Sequence, residues 1–231
     1  MLFWLGKYVV LGPWLRLVFR PIVEGVEHLP GHGAAIVASN HLSFSDSVFL
    51  PLMIKRRIVF LAKAEYFNGR GIKGIASRIF FTGMGAVPID RSSGSAARSA
   101  LNAGMHALNQ GCLLGIYPEG TRSPDGRLYR GRTGVARLAL QSGAPVIPVV
   151  MLNTHEVQPI GRKMPRIMRV RIRFGKPLDF SEHASLVGDR RVERGVTDHI
   201  MDQLRTLSGQ EYVDTYAATV KSALRREGTP T

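Results

Sequence analysis

Cysteine is nearly absent from this chain, which contains only Cys112 among its 231 residues. A disulfide within one chain cannot form, which fits a reducing compartment. Metal sites built from several cysteines are excluded for the same reason. Cys112 lies in the apolar run Cys112–Ile116, where a buried and unreactive thiol is expected. We therefore expect neither a redox centre nor a thiolate metal cluster.

Long uncharged hydrophobic runs are also missing. A helix that spans a bilayer needs about 20 mostly apolar residues. In the apolar N-terminal stretch the longest uncharged run is residues 8–15, and Gly12-Pro13 interrupts it. Both tryptophans, Trp4 and Trp14, lie in this stretch together with three basic residues. This composition favours two short helices that lie in the headgroup layer of a membrane, and an ordinary pair of core helices is the alternative.

Acidic residues are scarce relative to basic ones, with 17 Asp and Glu against 31 Lys and Arg and a net charge of +14. Such a charge calls for a polyanionic partner: nucleic acid, an anionic membrane or a phosphorylated substrate. Nucleic-acid modules interleave basic and aromatic residues on a strand face or carry a recognisable helix motif, and the sequence has neither pattern. The charge therefore favours anionic lipid and phosphorylated substrates over nucleic acid. A non-enzymatic basic protein that binds membranes or nucleic acid is the rival class.

Apolar segments of strand length alternate with amphipathic segments of helix length. The predicted strands cover residues 34–40, 58–62, 85–91, 112–116 and 144–151, and the predicted helices cover 72–80, 96–109, 133–141, 189–207 and 211–226. This alternation predicts an α/β fold with a largely parallel mixed sheet flanked by helices. The internal proline of residues 85–91 predicts an edge strand there.

A further strand is predicted in the second half of residues 166–174, where apolar residues alternate with Arg169, Arg171 and Arg173. The alternation is typical of a half-buried edge strand with a basic ridge. The ridge is either a solvated edge that discourages aggregation or a ligand-binding surface.

Three regions follow from these patterns. Residues 1–22 are predicted to be interfacial membrane-anchoring helices, residues 23–182 an α/β domain, and residues 183–231 C-terminal helices packed on the same domain. An apolar stripe from Val192 to Leu207 at helical spacing is expected to dock against that domain.

His41 and Asp46 form the first candidate pair. His41 comes three residues after the end of the apolar run Ala34–Ala38, which places it at the carboxyl end of a predicted buried strand. On one helix a separation of five positions would rotate the two side chains about 140° apart, so they can meet only across a turn. Ser43 and Ser45 are N-cap candidates in that turn, with Asp46 in the first turn of the helix that follows.

A carboxylate folded back onto an imidazole has a definite chemical consequence. It would accept the Nδ1–H of His41, fix the tautomer, and leave Nε2 free to take a proton from an attacking hydroxyl. The pair would then act as a general base without a nucleophile of its own. In the alternative reading His41 and Asp46 merely close a loop, the histidine bonding to backbone and the aspartate capping a helix.

Other polar residues fall at predicted strand ends as well. Arg91 ends the strand 85–91, and Glu119 follows the strand 112–116 within Tyr117–Ser123. Open parallel sheets bind ligands beyond the carboxyl ends of their strands. We therefore expect His41, Arg91 and Glu119 to lie at one edge of the sheet.

Four segments in this order carry a family resemblance. They are Asn40–Asp46, Gly85–Arg91, Tyr117–Ser123 and Ala144–Pro148, and Phe60–Glu65 resembles the stretch between the first two. With these segments the sequence resembles the glycerolipid acyltransferases, specifically the bacterial 1-acylglycerol-3-phosphate acyltransferase group, over about residues 20–180. One departure is Tyr129–Gly134, which replaces the family's usual Phe-Lys-x-Gly pattern.

The resemblance implies transfer of an acyl group from acyl-CoA or acyl carrier protein to the hydroxyl of a lysophospholipid, giving phosphatidate. No other cofactor and no metal are implied. A thioester is already activated, so the resemblance implies that His41 deprotonates the acceptor hydroxyl directly while Asp46 orients the ring. Glycerol 3-phosphate, another lysophospholipid or a glycolipid are alternative acceptors, since related activities share the same four segments.

The resemblance also implies a binding site for the acceptor's phosphate. The candidate residues are Lys63, Arg91, Glu119, Gly120, Thr121 and Arg122. The three basic side chains would bind phosphate, Gly120 would allow close approach of the backbone, and Thr121 would supply a hydroxyl. Glu119 is expected to anchor an arginine or a substrate hydroxyl.

The lipid partners complete the expectation. The acyl chain is expected in an apolar groove beside the N-terminal segment and the helix that carries Ile72, Ile75 and Ile79. The protein is expected to sit on the cytoplasmic face of the cell membrane as a peripheral or monotopic protein, held by the anionic surface.

Overall fold

The computed structural model describes residues 6–83, 85–89, 96–162 and 164–227. Its strands are β1 (Ile22–Glu24), β2 (Ala35–Ser39), β3 (Ile58–Lys63), β4 (Ala86–Ile89), β5 (Leu113–Ile116), β6 (Leu128–Tyr129), β7 (Val146–Leu152), β8 (Arg171–Phe174) and β9 (Tyr212–Val213). Its α-helices are α1 (Leu11–Phe19), α2 (Asp46–Met53), α3 (Gly71–Gly83), α4 (Ala96–Asn109), α5 (Gly134–Ser142), α6 (Thr154–Val157), α7 (Arg190–Ser208) and α8 (Ala217–Arg226). A π-helical turn, Gly6–Val10, precedes α1, and short 3₁₀ turns cover Val26–His28, Ala64–Tyr66 and Ser181–Leu186.

Within the described residues, seven strands form one sheet in the order β1-β8-β7-β2-β5-β3-β4. The five strands from β7 to β4 run parallel to one another. Strand β8 pairs antiparallel with β7, and β1 runs parallel to β8. Strands β2 and β7 are buried along almost their whole length, as the continuous apolar runs of a doubly covered parallel sheet require. The predicted α/β class with a largely parallel mixed sheet is confirmed, and β4 lies at the predicted edge.

The predicted edge position of the Arg-rich strand is wrong. Strand β8 alternates as expected, with Ile172 and Phe174 buried and Arg171 exposed, but β1 covers its outer side. Arg173 Nε donates to Glu24 Oε2 at 2.8 Å, so this arginine is paired and the ridge is not simply solvated. A three-residue strand inside the extended lead-in Pro21–Pro30 is too short to give a period-two pattern of its own, which is why the sequence did not reveal it.

Two hydrophobic clusters cover the two faces of the sheet. Adjacent residues of β2 point to opposite faces, and Val37 therefore joins the cluster under α1 and α2, while Ile36 joins the cluster under α4, α5 and α7. The predicted apolar stripe of the long C-terminal helix is buried at Val196, Ile200 and Leu204. The core thus fixes the carboxyl ends of the parallel strands at one edge of the sheet.

Helix α1 has one buried face and one exposed face. Leu15 and Phe19 join the core, and the ring of Phe19 packs edge-on against Phe49 at 5.2 Å. Trp14 and Leu17 remain 50 % and 74 % exposed. Within the described residues no helix is long and apolar enough to cross a membrane.

Lys7 anchors the N-terminal turn. Its Nζ is buried and donates to the carbonyl oxygens of Ile54 and Lys55, directly after α2. Burial, together with the nearby charge of Arg16, lowers the pKa of Lys7 to about 8. The buried charge is stabilised by those carbonyl oxygens, which hold the N-terminal segment against the body.

Candidate active site

His41 and Asp46 meet across the turn between β2 and α2. His41 Nδ1 lies 2.9 Å from Asp46 Oδ2, and because a carboxylate can only accept, Nδ1 donates this hydrogen bond. The same oxygen accepts the backbone N–H groups of Leu42 at 2.7 Å and Ser43 at 2.8 Å. Asp46 is fully buried. Three donors therefore fix one carboxylate oxygen, and in a neutral imidazole that donates through Nδ1 the ring nitrogen left to accept a proton is Nε2.

The turn is held by side chains on both sides of it. Ser45 occupies the position before α2 but makes no side-chain cap; its Oγ donates to Ser43 Oγ at 3.0 Å. Ser43 Oγ in turn donates to the carbonyl of Gln158 at 2.9 Å. Asn40 accepts from the Met151 backbone N–H at 2.7 Å and donates to its carbonyl at 3.1 Å. The predicted capping role of the two serines is therefore replaced by a serine pair that ties the turn to the chain after β7.

Tyr117 lies directly against the histidine. The two rings are stacked with centroids 3.8 Å apart and planes 11° apart, and the ring of Phe60 also stacks on Tyr117, with centroids 5.7 Å apart. The Tyr117 hydroxyl is hydrogen-bonded to Ser47 at 2.9 Å. Burial, and next the charge of Asp46, raises the pKa of Tyr117, so its hydroxyl stays neutral. The stack restricts rotation of the imidazole, and sequence reasoning missed it because the contacting residues lie far apart in the chain.

Glu119 holds the loop after β5 against the histidine turn. Its two carboxylate oxygens accept the backbone N–H of His41 at 3.1 Å and that of Tyr129 at 2.9 Å, and the side chain is only 1 % exposed. Burial raises the pKa of Glu119 to about 8, although the two backbone donors oppose the rise. The expected partners were an arginine or a substrate hydroxyl; the structure instead gives Glu119 two backbone partners.

The residues after Glu119 face a cluster of cations. Gly120 has φ +75°, a conformation that favours glycine, and a Cβ there would lie 3.0 Å from Arg132 Nε. Thr121 Oγ1 accepts a hydrogen bond from Lys221 Nζ at 3.3 Å. Arg122 is half-buried and has no carboxylate within ion-pair distance among the described residues. The loop therefore presents backbone, hydroxyl and guanidinium groups together.

A cavity of about 710 Å³ opens beside His41. One part of its lining is apolar and aromatic: Phe44, Phe60, Leu61, Phe80, Phe81, Leu101, Ile116, Val135 and Leu138. Another part is polar and cationic: Gly120, Thr121, Arg122, Arg132, Arg137, Lys221 and Arg225. Arg137 is paired with Glu193 at 2.8 Å. The volume and the mixed lining are those of a site for a small molecule with an apolar part and an anionic part.

The structure brings together four of the predicted site residues in addition to the His41–Asp46 pair: Glu119, Gly120, Thr121 and Arg122. Lys63 is the last residue of β3, and only its backbone is described. Arg91 lies outside the described residues. Both therefore stay predictions.

The residues that line the cavity differ in part from those expected to form the acyl groove. Helix α3 contributes Phe80 and Phe81 to the cavity, whereas Ile72, Ile75 and Ile79 are exposed. No described residue of α1 lines the cavity. The isoleucines and the exposed face of α1 are thus surface features and not cavity walls.

Four cationic lining residues were not anticipated: Arg132, Arg137, Lys221 and Arg225. Arg132 lies in the segment where the sequence departs from the family's usual pattern, which was the one available signal. Lys221 and Arg225 lie on α8, one turn apart, and their four-residue spacing indicates only a shared helix face.

Comparison with known proteins gives three results. A family model described as Acyltransferase matches residues 20–152. The chain is 31 % identical over 184 residues to a chloroplastic 1-acyl-sn-glycerol-3-phosphate acyltransferase of Arabidopsis thaliana, covering 77 % of this chain and 50 % of that protein. It is 28 % identical over 142 residues to the 1-acyl-sn-glycerol-3-phosphate acyltransferase of Borreliella burgdorferi, covering 62 % and 54 %.

A solved structure is also similar. The crystal structure of the 1-acyl-sn-glycerophosphate acyltransferase PlsC from Thermotoga maritima superposes with a TM-score of 0.64 at 26 % identity, covering 85 % of this chain and 76 % of that one. The chain spans about half the length of the curated relatives it matches.

Proposed function

Since the chain belongs to the acyltransferase family, we propose that it transfers an acyl group from acyl-CoA or acyl carrier protein to the free hydroxyl of 1-acyl-glycerol-3-phosphate, forming phosphatidate. The observation that carries the proposal is the His41–Asp46 pair, joined at 2.9 Å and opening onto a cavity that is apolar in one part and cationic in another. The names of the relatives from Arabidopsis thaliana and Borreliella burgdorferi support the choice of acceptor.

The proposed chemistry needs one proton acceptor and no enzyme nucleophile. His41 Nε2 takes the proton of the acceptor hydroxyl as its oxygen attacks the thioester carbonyl carbon. The new ester C–O bond forms, the C–S bond breaks, and the proton passes from His41 to the departing thiolate. Asp46 holds the ring through Nδ1–H and stabilises the imidazolium between the two transfers.

The cationic side of the cavity would bind the acceptor's phosphate. Arg122 has a planar guanidinium suited to bidentate contact with phosphate oxygens, and Gly120, which has no side chain, leaves room for the Arg132 side chain to pack beside the same loop. Thr121 contributes a hydroxyl. Lys63 and Arg91 belong to this proposal through the family resemblance alone. The aromatic side, with Phe44, Phe80 and Phe81 in mutual contact, would hold the acyl chain.

We propose that the protein works at the surface of an anionic membrane, on its cytoplasmic face, from which the lipid acceptor enters the cavity. The net charge of +14 and the exposed side chains of α1 and α3 support this. Trp14, Leu17 and Ile72 are between 50 % and 87 % exposed, and aromatic and aliphatic side chains beside basic residues favour the interfacial layer.

The test is an acyl-transfer assay with purified protein. Labelled acyl-CoA is offered with 1-acyl-glycerol-3-phosphate, glycerol 3-phosphate or another lysophospholipid, and the products are resolved by mass. We expect phosphatidate from the first acceptor. We expect His41→Ala to lower kcat by about 10²- to 10⁴-fold, the usual contribution of a general base, while acceptor binding persists.

An exposed histidine outside the cavity provides the control. His183 is exposed and does not line the cavity, so His183→Ala should keep the wild-type rate. Near wild-type turnover by His41→Ala would refute the assigned base. Absence of product from every acceptor, with folded wild-type protein, would refute acyl transfer itself.

A further inference from the structure

Helix α8 brings a buried lysine into the cavity from outside the matched family region. The family model ends at residue 152, whereas Lys221 lies almost 70 positions further along the chain. Lys221 is only 7 % exposed, lines the cavity and donates to Thr121 Oγ1 at 3.3 Å. A buried ammonium group with a hydroxyl as its one hydrogen-bond partner among the described residues has two donor positions left for a ligand.

The position of α8 is fixed by backbone pairing. Strand β9 pairs parallel with β6, with Leu128 opposite Tyr212, and the backbone N–H of Arg130 donates to the carbonyls of Val213 and Thr215. Tyr216 follows, and its ring lies 5.5 Å from the guanidinium of Arg132. Arg132 in turn packs over Gly120. The C-terminal segment is thus attached to the same loop that carries Thr121 and Arg122.

The charged side chains that line the cavity around Lys221 are all basic. Arg122, Arg132 and Arg225 line the cavity with it, and no aspartate or glutamate is among the described lining residues. Burial lowers the pKa of Lys221, and the charges of Arg122 and Arg225 lower it further, with only Glu119 opposing. Like charges held together in a partly desolvated site destabilise one another until an anion enters.

We propose that Lys221 and Arg225 of helix α8 bind a phosphate group of a substrate at the Thr121 end of the cavity. This rests on the proposed function for the identity of the substrate, but the chemistry of the ligand, an anionic phosphate group, follows from the cluster itself. Two sources are possible: the glycerol phosphate of the acceptor and the phosphates of coenzyme A. Lys221 provides a point charge at the buried end of the proposed phosphate site, and Arg225 lies one helical turn further along α8 at its exposed end.

The experiment compares charge removal on two adjacent residues of one helix. Arg225 lines the cavity and Arg226 does not, although both are exposed, so Arg226→Met is the matched control for Arg225→Met. Lys221→Met keeps the aliphatic stem of the buried lysine, and Lys221→Arg restores its charge. Binding of glycerol 3-phosphate and of free coenzyme A to each full-length variant is measured by titration calorimetry, alongside KM for acceptor and for donor.

We expect Lys221→Met and Arg225→Met to weaken one of the two probes by about tenfold, the loss of one charge-assisted bond, and to raise the matching KM. Weaker glycerol 3-phosphate binding would assign the site to the acceptor, and weaker coenzyme A binding to the donor. Lys221→Arg should recover part of the affinity, and Arg226→Met should bind both probes like the wild type. If Lys221→Met does not fold, Arg225→Met decides the result.

Unchanged binding of both probes in Lys221→Met and Arg225→Met would overturn the phosphate site, whatever their activity. An equal loss in Arg226→Met would also overturn it, because the effect would then be general charge. A wild type that binds glycerol 3-phosphate through Lys221 but transfers no acyl group would leave this site standing and refute the proposed function instead.

Discussion

Glu119 is a buried acid, and its charge affects the strength of the hydrogen bonds that hold the histidine turn. Its oxygens accept the backbone N–H groups of His41 and Tyr129, so it joins the turn after β2 to strand β6. An ionised carboxylate forms these bonds more strongly than a neutral acid, while burial favours the neutral acid. The two effects compete, and burial dominates, since the pKa of Glu119 is raised from 4.5 to about 8.

This raised pKa predicts a pH-dependent stability. Between pH 4.5 and about 8 the folded protein holds a proton on Glu119 that the unfolded chain has lost. Because the folded state then binds more protons, the free energy of unfolding falls as pH rises through this range and levels off above it. We expect Glu119→Gln, which cannot titrate, to show a shallower fall, as measured by urea unfolding from pH 5 to pH 9.

The quantity to compare is the difference in unfolding free energy between the wild type and Glu119→Gln at each pH, because every other titrating group is common to both proteins. A difference in unfolding free energy that stays constant from pH 5 to pH 9 would mean that the pKa of Glu119 is not raised, because a group with an ordinary or lowered pKa has lost its proton in both states over this range.

Whether a contact between two site residues could be predicted depended on their separation in the chain. The contact between His41 and Asp46 was one of two interpretations of a five-residue spacing at a strand end, and the family resemblance favoured it; the structure shows the contact. Tyr117 and Glu119 reach His41 from 76 and 78 positions away, and no local pattern encodes such a contact. The catalytic and binding roles of the site residues stay predictions.

At the scale of elements, strands β3 and β5 together support the histidine. Phe60 on β3 stacks on Tyr117, just after β5, and Tyr117 stacks on His41. The ring of Phe60 lies over Gly115, where a Cβ would come within 2.3 Å of its Cε1 atom. Only a residue without a side chain allows the ring to lie there.

Gly115→Ala should therefore move Phe60 and disturb the stack on His41. We expect a lower kcat, because the proposed base His41 loses its fixed orientation, and a loss of stability of about 1–3 kcal/mol, the usual cost of overpacking a core. Gly195→Ala is the control: it lies mid-helix in α7 with nothing near its Cβ, so helix propensity should stabilise the protein by about 0.5–1 kcal/mol with activity unchanged. Equal activity in both variants would refute a role for the stack.

The helices with a periodic sequence pattern over many residues were predicted best. The predicted helix 96–109 matches α4, and the predicted helix 189–207 differs from α7 by one residue at each end. The predicted helix 211–226 instead begins at Ala217, because Tyr212 and Val213 pair with β6. Two-residue strands have no detectable period, and their pairing joins segments more than 80 positions apart, so the arrangement that delivers α8 to the cavity could not be predicted.

The whole molecule combines a net charge of +14 with exposed apolar side chains on two helices. Trp14 and Leu17 project from α1, and Ile72 and Ile75 project from α3. Charge attracts the protein over a Debye length, which is about 8 Å at physiological salt and about 3 Å at 1 M. Insertion of apolar side chains does not depend on salt in this way. The two contributions can therefore be separated by flotation with vesicles at two salt concentrations.

We expect the wild type to float with anionic vesicles at 0.15 M salt, to float less at 1 M salt, and to float poorly with zwitterionic vesicles. The double substitution Trp14→Ser with Leu17→Ser should lower flotation at both salt concentrations, because it removes the salt-independent part. Leu186→Ser with Val187→Ser is the matched control, since both residues are 44 % exposed but belong to neither helix.

The substitutions Ile72→Ser and Ile75→Ser then report whether α3 faces the same bilayer. A loss of flotation comparable to that of the α1 variant places both helices at the membrane, and flotation equal to that of the control leaves α1 alone there. Wild-type protein that stays unbound with anionic vesicles at 0.15 M salt would refute the membrane-surface proposal.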